Sequence, residues 1–170
     1  MQVLERLLTL PIFAGVSEAH LRRLLDVAPP VAVENEAQLM KVGDVGEDVV
    51  LVLDGGFAVE LGEGSTTLPL AFVGPGEILG EAALFRRGSA RSARVRAVQA
   101  SLVLRMDASL LDLLSRESNG VPRAVEEAVM RTMARRIHDS VQAIDGVLAS
   151  ALDVEEPKGA LQRLRELFRR

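Results

Sequence analysis

The sequence predicts a mainly β protein of the α+β class, an antiparallel β-roll or jelly roll between N-terminal helices and a long C-terminal helix. Two observations lead to this fold class. From about residue 31 to residue 106, short apolar or alternating runs are separated by turn signals at regular intervals. Before residue 28 and after residue 107, apolar residues recur at helical spacing instead.

The first 27 residues are predicted to form two helices. The first is VLERLLTL, which Pro11 ends, and the second is SEAHLRRLLDV, for which Ser17 is a suitable N-cap. Ala-Pro-Pro at 28–30 ends the second helix, because proline lacks a backbone donor and disfavours helix at the residue before it.

The middle of the chain is predicted to form a series of short strands. They are VAV (31–33), VVLVL (49–53), FAVEL (57–61), TLPLAFV (67–73), ARVRAV (93–98) and SLVLRM (101–106). Glycine-containing turns separate them, for example Asp-Gly-Gly at 54–56 and Gly-Pro-Gly at 74–76. The segment GEAALFRR interrupts this pattern and favours a short helix that opens at a glycine.

Two further helices are predicted after the strands. Asp107 is a suitable N-cap for ASLLDLLSRES, which Asn-Gly at 119–120 ends. The next helix begins near Pro122 and extends to about Leu152, roughly 45 Å. Steps of three and four separate Met130, Met133, Ile137, Ser140, Ile144, Val147 and Ala151 along it. This spacing predicts a parallel homodimer through helix 122–152, and the alternative is an amphipathic helix packed on its own roll.

These elements divide the chain into three parts. Residues 1–120 form the β-roll with its flanking helices, residues 121–152 form the dimerisation helix, and residues 153–170 form a short basic amphipathic tail. In the tail, Leu161, Leu164 and Phe168 make a narrow apolar stripe flanked by lysine and arginine. A helix this short needs a surface on which to dock.

The composition argues against several classes of function. Acidic residues outnumber basic ones by 24 to 20, and a net charge of −4 disfavours general binding to nucleic acid or anionic membranes. The chain has no cysteine, and no apolar run approaches the ~18 residues of a membrane span. His20 and His138 lie on separate predicted helices without metal-ligand spacing, and no nucleophile motif is present. We therefore expect a cytoplasmic protein that is not an enzyme and holds no metal or cofactor.

Five arginines cluster between residues 86 and 96 of this acidic chain, in GEILGEAALFRRGSARSARVRA. One interpretation is a solvated strand face that pairs with surface acids, and charge alone favours it. The other is a site for a small nucleotide monophosphate. A guanidinium fork, a helix start near Gly80 and the hydroxyls of Ser89 and Ser92 would bind its phosphate. Glu81 would accept a hydrogen bond from a sugar hydroxyl.

The spacing of this segment resembles the phosphate-binding cassette of the cyclic-nucleotide-binding domain family, most of all in bacterial catabolite activator proteins. The family pattern is Gly-Glu, two residues, Leu-Phe, two residues, Gly, two residues, Arg-Ser-Ala, one residue, Val-Arg-Ala. Residues 80–97 match every fixed position without a gap. Upstream, GDVGEDVVLVLDG (43–55) resembles the family's GDxGDxxYxVLxG, with Glu47 and Val50 as departures. LLTLPIFAGVSEAHLRRL and MARRIHDSV are also similar, so the resemblance extends from residue 1 to about 150.

The resemblance implies a receptor for a cyclic nucleotide, cAMP or cGMP, that signals to a protein partner by a conformational change. It also implies roles for individual residues. Arg91 would pair with the cyclic phosphate, assisted by Ser92 and the backbone at Gly80 and Ala82. Glu81 would accept the ribose 2′-hydroxyl. The apolar lining around sugar and base would come from Leu70, Leu79 and Val95.

The resemblance extends to the long helix. Arg136 matches an arginine that approaches the nucleotide, and Ser140 matches a threonine that hydrogen-bonds the exocyclic amine of the base. A hydroxyl can donate or accept, so Ser140 does not choose between cAMP and cGMP. Val141 replaces a serine that would come from the partner subunit. Arg86, Arg87 and Arg94 have no role in the family and are expected on the solvated surface or in a partner-docking patch.

The sequence leaves two other functions open, a protein-interaction scaffold and a nucleic-acid-binding protein. Activators of this family carry a winged helix-turn-helix after the dimerisation helix, and the segment after Leu152 is too short for one, so DNA binding is not expected. A protein-interaction scaffold that keeps the fold without responding to ligand is the alternative. Val141 and the missing effector domain favour the scaffold, whereas Glu81, Arg91 and Ser92 favour the receptor. Nucleic-acid binding through the arginines is disfavoured by the net charge and by the scarcity of aromatic residues.

Overall fold

The computed structural model describes residues 3–62, 67–85, 88 and 90–153. The chain divides into two compact units, residues 1–131 and residues 132–170, which are described separately. In the first unit, helices α1 (Val3–Thr9) and α2 (Glu18–Val27) flank a short 3-10 helix at Pro11–Phe13. Ser17 caps α2 as predicted, because its hydroxyl accepts a hydrogen bond of 3.3 Å from the backbone N–H of His20.

The strands follow in the predicted region. They are β1 (Val31–Val33), β2 (Gln38–Met40), β3 (Asp48–Asp54), β4 (Phe57–Leu61), β5 (Leu68–Val73), β6 (Ile78–Leu79), β7 (Arg94–Ala97) and β8 (Ser101–Asp107), with helix α3 (Ala82–Phe85) between β6 and β7. Within the described residues they form two four-stranded sheets, ordered β1-β8-β3-β6 and β2-β7-β4-β5. Every strand pairing is antiparallel, so the predicted antiparallel roll is confirmed.

Two of these strands were absent from the sequence-based prediction. β2 has three residues and β6 has two, and neither is long enough to display an alternating pattern. Both are positioned by their partners instead. β6 pairs with β3 through Val50 and Leu79, and this pairing places the start of the arginine-rich segment against β3.

Asp107 directly precedes helix α4 (Ala108–Arg116), and its carboxylate accepts a hydrogen bond of 2.7 Å from the backbone N–H of Leu110. This confirms the predicted N-cap. Helix α5 (Val121–Asp153) begins one residue before Pro122, close to the predicted start. Its apolar residues are buried as far as Val129.

The core of the first unit lies between the two sheets. It includes Val50 and Val52 of β3, Phe57 of β4 and Val95 of β7. The intervening β3 residues are also fully buried, since α1 packs against β3 and α4 packs against the neighbouring strand β8. A strand that is covered on both faces has no polar side to display, and this explains the uninterrupted run VVLVL.

In the second unit, helix α5 has an exposed apolar stripe. Ile137, Val141, Ile144 and Leu148 expose 63%, 51%, 59% and 54% of their surface. They recur at steps of four, three and four and so share one side of the helix. The part of the predicted tail beyond Asp153 lies outside the described residues.

Candidate functional site

The arginine-rich segment is held against the turn between β2 and β3. The backbone N–H of Arg91 donates to the carbonyl of Asp44 at 2.8 Å, and the N–H of Gly43 donates to the carbonyl of Arg91 at 2.9 Å. Val45 and Ala90 form an isolated antiparallel bridge beside these bonds. The two sequence motifs that carried the family resemblance are therefore joined directly in the structure.

The side chain of Arg91 points inward and is only 10% exposed. Its Nη1 donates to the carbonyl of Gly80 at 3.2 Å. Its Nη2 donates twice to Asp48, at 2.9 Å to the backbone carbonyl and at 2.7 Å to the carboxylate oxygen Oδ1. Arg91 thus connects the residue after β6 with the first residue of β3.

Two glycines provide the space that this guanidinium occupies. A Cβ at Gly46 would collide with Nε and Cζ of Arg91, and a Cβ at Gly80 would collide with Nη1. Gly80 also has a φ of +75°, a backbone conformation that side-chain-bearing residues rarely adopt. Both positions therefore fit a site built around a buried arginine.

A second arginine holds the same carboxylate from the other side. The Nε of Arg105 donates to Oδ2 of Asp48 at 2.6 Å, and the Asp48 side chain is only 15% exposed. The sequence-based prediction gave neither residue a role. The available signal was Arg105 itself, the single charge within the apolar run SLVLRM (101–106).

The predicted apolar lining is only partly brought together. Leu79 and Val95 are both almost fully buried in the core between the sheets. Leu70 lies on β5 with about half of its side-chain surface exposed, at 51%. Around the cassette, Glu81 is half-buried, whereas Ala82 and Ser92 are exposed.

Arg94 is only partly exposed, with 27% of its side-chain surface accessible, and it pairs with a carboxylate, so the predicted solvated position is only partly correct. Its Nε is buried and lies 3.5 Å from Oε2 of Glu60, a carboxylate that is itself buried on β4. Arg96 donates to the other oxygen of Glu60 at 3.0 Å and pairs with Glu36 at 2.7 Å. The hydrogen bond with Glu60, followed by the charges of Glu36 and Glu60, raises the pKa of Arg96. Arg86, Arg87 and Ser89 lie outside the described residues.

The predicted base-contacting residues lie on the second unit. Arg136 and Ser140 are one helical turn apart on α5, and the Ser140 hydroxyl donates to the backbone carbonyl of Arg136 at 2.7 Å. Ser140 is exposed, and its oxygen keeps acceptor capacity while its hydrogen is engaged in the helix. His138 on the same helix is also exposed.

The other histidine has a structural contact. Nδ1 of His20 accepts a hydrogen bond of 3.1 Å from the backbone N–H of Gly120, and its carbonyl accepts one of 3.2 Å from the side chain of Asn119. A cavity of about 450 Å³ lies nearby, lined among others by Val16, Gly120 and Ala124. None of the predicted ligand-binding residues lines this cavity. The candidate site is therefore assigned from the geometry of Arg91.

The described part of the chain shows two further negative results. It contains no group of three or more histidine and acidic side chains that could hold a metal ion. It also contains no helix with the length and apolarity needed to cross a membrane.

The two antiparallel four-stranded sheets with their flanking helices define the class of protein, an antiparallel β-roll domain. More particularly, the chain belongs to the family described as the cyclic nucleotide-binding domain, which matches residues 30–117. The family resemblance inferred from the cassette is therefore confirmed. No curated protein matches the chain.

Solved structures agree with this membership. The catabolite activator protein of Thermus thermophilus is 25% identical, with a TM-score of 0.65, and the match covers 81% of this chain and 62% of that one. The chain thus spans less than two thirds of that activator. The N-terminal domain of a transcriptional regulator from Streptomyces coelicolor A3(2) is 26% identical, with a TM-score of 0.57 and coverage of 84% and 95%.

A third structure supports the fold alone. It is a cyclic nucleotide-binding domain from Methylobacillus flagellatus, 24% identical, with a TM-score of 0.68. The match covers 84% of this chain and 80% of that one.

Proposed function

We propose that this chain is a receptor for cAMP or cGMP that signals to a protein partner by binding and conformational change rather than by catalysis. The observation that carries the proposal is Arg91, a nine-tenths buried guanidinium within the cassette, for which Gly46 and Gly80 make room. The planar fork of an arginine guanidinium matches two oxygens of a phosphate.

The remaining cassette residues have complementary roles in this proposal. Arg91 binds the cyclic phosphate, with Ser92 and the backbone at Gly80 and Ala82 as further donors. Glu81 accepts the ribose 2′-hydroxyl. In this proposal Leu70, Leu79 and Val95 supply apolar contacts to sugar and base, and Leu79 and Val95 also belong to the hydrophobic core of the roll.

On α5, we assign Arg136 and Ser140 to the base end of the ligand. The engaged hydrogen of Ser140 leaves an oxygen that accepts a hydrogen bond from an exocyclic amine. Both adenine and guanine carry such an amine, so the two nucleotides belong in every binding experiment.

Replacement of Arg91 tests the phosphate site. With nucleotide at 100 times its Kd, the wild-type protein gains about 2.7 kcal/mol of stability, which raises its Tm by roughly 5 to 10 °C. We expect Arg91→Leu to lose this upshift and to keep its fold, because Asp48 remains paired with Arg105. Thermal unfolding with and without cAMP or cGMP measures both quantities.

Arg22→Leu is the matched control, because Arg22 is an exposed arginine on α2 that pairs only locally with Glu18 among its described contacts. This variant keeps the upshift. A full upshift in Arg91→Leu would contradict the site assignment. No upshift in the wild-type protein with either nucleotide would favour the scaffold function instead.

We also propose that a second copy of the chain covers the exposed apolar stripe of α5. The stripe extends over three turns, and apolar residues at this spacing typically form a two-helix seam. Ile137→Glu places a charge in the seam and is expected to convert a dimer into a monomer, as measured by sedimentation equilibrium. Gln142→Glu introduces the same charge away from the stripe and keeps the dimer. A monomeric wild-type protein would contradict this proposal.

A further inference from the structure

The bonds of Arg91 restrict how it can receive a phosphate. A guanidinium offers two planar forks that match a pair of phosphate oxygens, Nε with Nη2 and Nη1 with Nη2. Both forks use Nη2. In the structure Nη2 makes two hydrogen bonds, and both go to Asp48. A two-pronged pair with phosphate therefore requires Asp48 to release one of them.

Of the two acceptors, the carboxylate is the one that must move. The carbonyl of Asp48 belongs to the backbone of β3, whose register opposite Asp107 of β8 fixes its position. The carboxylate is on a rotatable side chain and carries a negative charge. A phosphate bound at Arg91 would strongly repel the negative charge of the Asp48 carboxylate. The side chains of Arg91 and Asp48 are no more than 15% exposed, so solvent screens this repulsion only weakly.

Arg105 provides a place for the released carboxylate. It already holds Oδ2 of Asp48 at 2.6 Å from β8, and its own side chain is 49% exposed. An open depression of about 330 Å³, lined by Glu47, Asp48, Arg105, Asp107 and Leu110, lies on this side of the carboxylate. Two further acids border it, so a turned Asp48 needs the charge of Arg105.

We propose that Asp48 competes with the phosphate of the ligand for Arg91 and that Arg105 retains the displaced Asp48 carboxylate. This inference rests on the proposed function, because it concerns the same phosphate site. Asp48 weakens binding by its charge, and Arg105 strengthens binding by holding that charge away from the ligand. The two residues therefore act in opposite directions on affinity although they form one ion pair.

Calorimetric titration with cAMP and cGMP tests this pair of signs. Asp48→Asn keeps the shape of the side chain and removes its charge, and we expect a Kd about tenfold lower than in the wild-type protein. Arg105→Gln leaves the displaced carboxylate without its partner and raises Kd about threefold, in keeping with a half-exposed ion pair. In the double variant Asp48→Asn/Arg105→Gln, the effect of Arg105 disappears, because there is no carboxylate to retain.

Asp54→Asn is the matched control, since Asp54 lies at the opposite end of β3 and pairs with Arg6. Its Kd stays at the wild-type value. Unfolding curves without nucleotide show that each variant is folded before its Kd is compared.

The outcomes separate the two proposals. Wild-type binding with an unchanged or higher Kd in Asp48→Asn would overturn the competition and leave the receptor function standing. Binding by Asp48→Asn alone would support the competition in its strongest form. No binding by either protein would overturn the receptor function together with this inference.

Discussion

Two ion-pair clusters that involve arginines of the arginine-rich segment have a similar arrangement and different surroundings. In each, one carboxylate lies between two arginines: Asp48 between Arg91 and Arg105, and Glu60 between Arg94 and Arg96. The first cluster joins a turn to the cassette. The second lies within a sheet, where β4 and β7 pair Glu60 directly with Arg94.

The difference in surroundings separates an exchangeable ion pair from a permanent one. Glu60 is only 6% exposed, and its Oε2 and the Nε of Arg94 have no hydrogen-bond partner that the structure describes. Neither group can turn to another partner without loss of charge compensation in a buried place. Asp48 already has a second cation and open space beside it. We infer that the Glu60 cluster serves stability and the Asp48 cluster serves binding.

Glu60→Gln has the largest expected effect, and it tests whether the Glu60 cluster serves stability rather than binding. Removal of one partner from a buried ion pair leaves the other charges uncompensated. We expect Tm to fall by roughly 5 to 10 °C while the Kd for cyclic nucleotide in the folded protein stays unchanged. Thermal unfolding and calorimetry on the same samples measure the two quantities.

Asp48→Asn is the counterpart of this variant, since it also converts a carboxylate between two arginines into an amide. For Asp48→Asn we expect a lower Kd for cyclic nucleotide and a smaller change in Tm than for Glu60→Gln. A loss of affinity in Glu60→Gln without a loss of stability would assign Glu60 to the ligand site and remove the distinction between the clusters.

Local sequence patterns were sufficient for most of the fold. The run VVLVL and the N-caps Ser17 and Asp107 identified their elements because burial and capping act over a few neighbouring residues. The strands β2 and β6 escaped prediction because pairing with distant strands, rather than their own two or three residues, defines them.

The sequence predicted the site only where the spacing of the family motif identified a residue. The family spacing separated Arg91 from its neighbours, and the structure gives that arginine a buried position of its own. The partners of the arginines were out of reach, because Asp48 and Arg105 are 57 residues apart and Glu60 and Arg96 are 36 apart. The alternation in FAVEL indicates that Glu60 faces away from Phe57, but it does not indicate that two arginines cover it.

A third arginine–carboxylate pair, Arg23 with Glu117, extends the comparison to a more exposed ion pair. Arg23 of α2 reaches Glu117, just after α4, through two hydrogen bonds of 2.8 Å and 2.6 Å. These hydrogen bonds, together with the charge of Arg23, hold the pKa of Glu117 below its usual range. Both side chains are at least one third exposed, so solvent screens the pair.

Glu117→Gln is therefore expected to have the smallest effect, a decrease in Tm of at most about 2 °C at neutral pH. A carboxylate whose pKa is lower in the folded protein stabilises it above the unfolded pKa of about 4.3 and loses that contribution as pH falls through the folded value. The difference in Tm between the wild-type protein and Glu117→Gln should thus be constant near neutral pH and vanish in acid. Thermal unfolding of both proteins between pH 7 and pH 3 isolates this contribution, because their other carboxylates titrate alike. A difference in Tm that grows as pH falls would contradict the stabilisation of the Glu117 carboxylate by Arg23. The contributions of arginine–carboxylate pairs to stability could then not be ranked by how deeply each pair is buried.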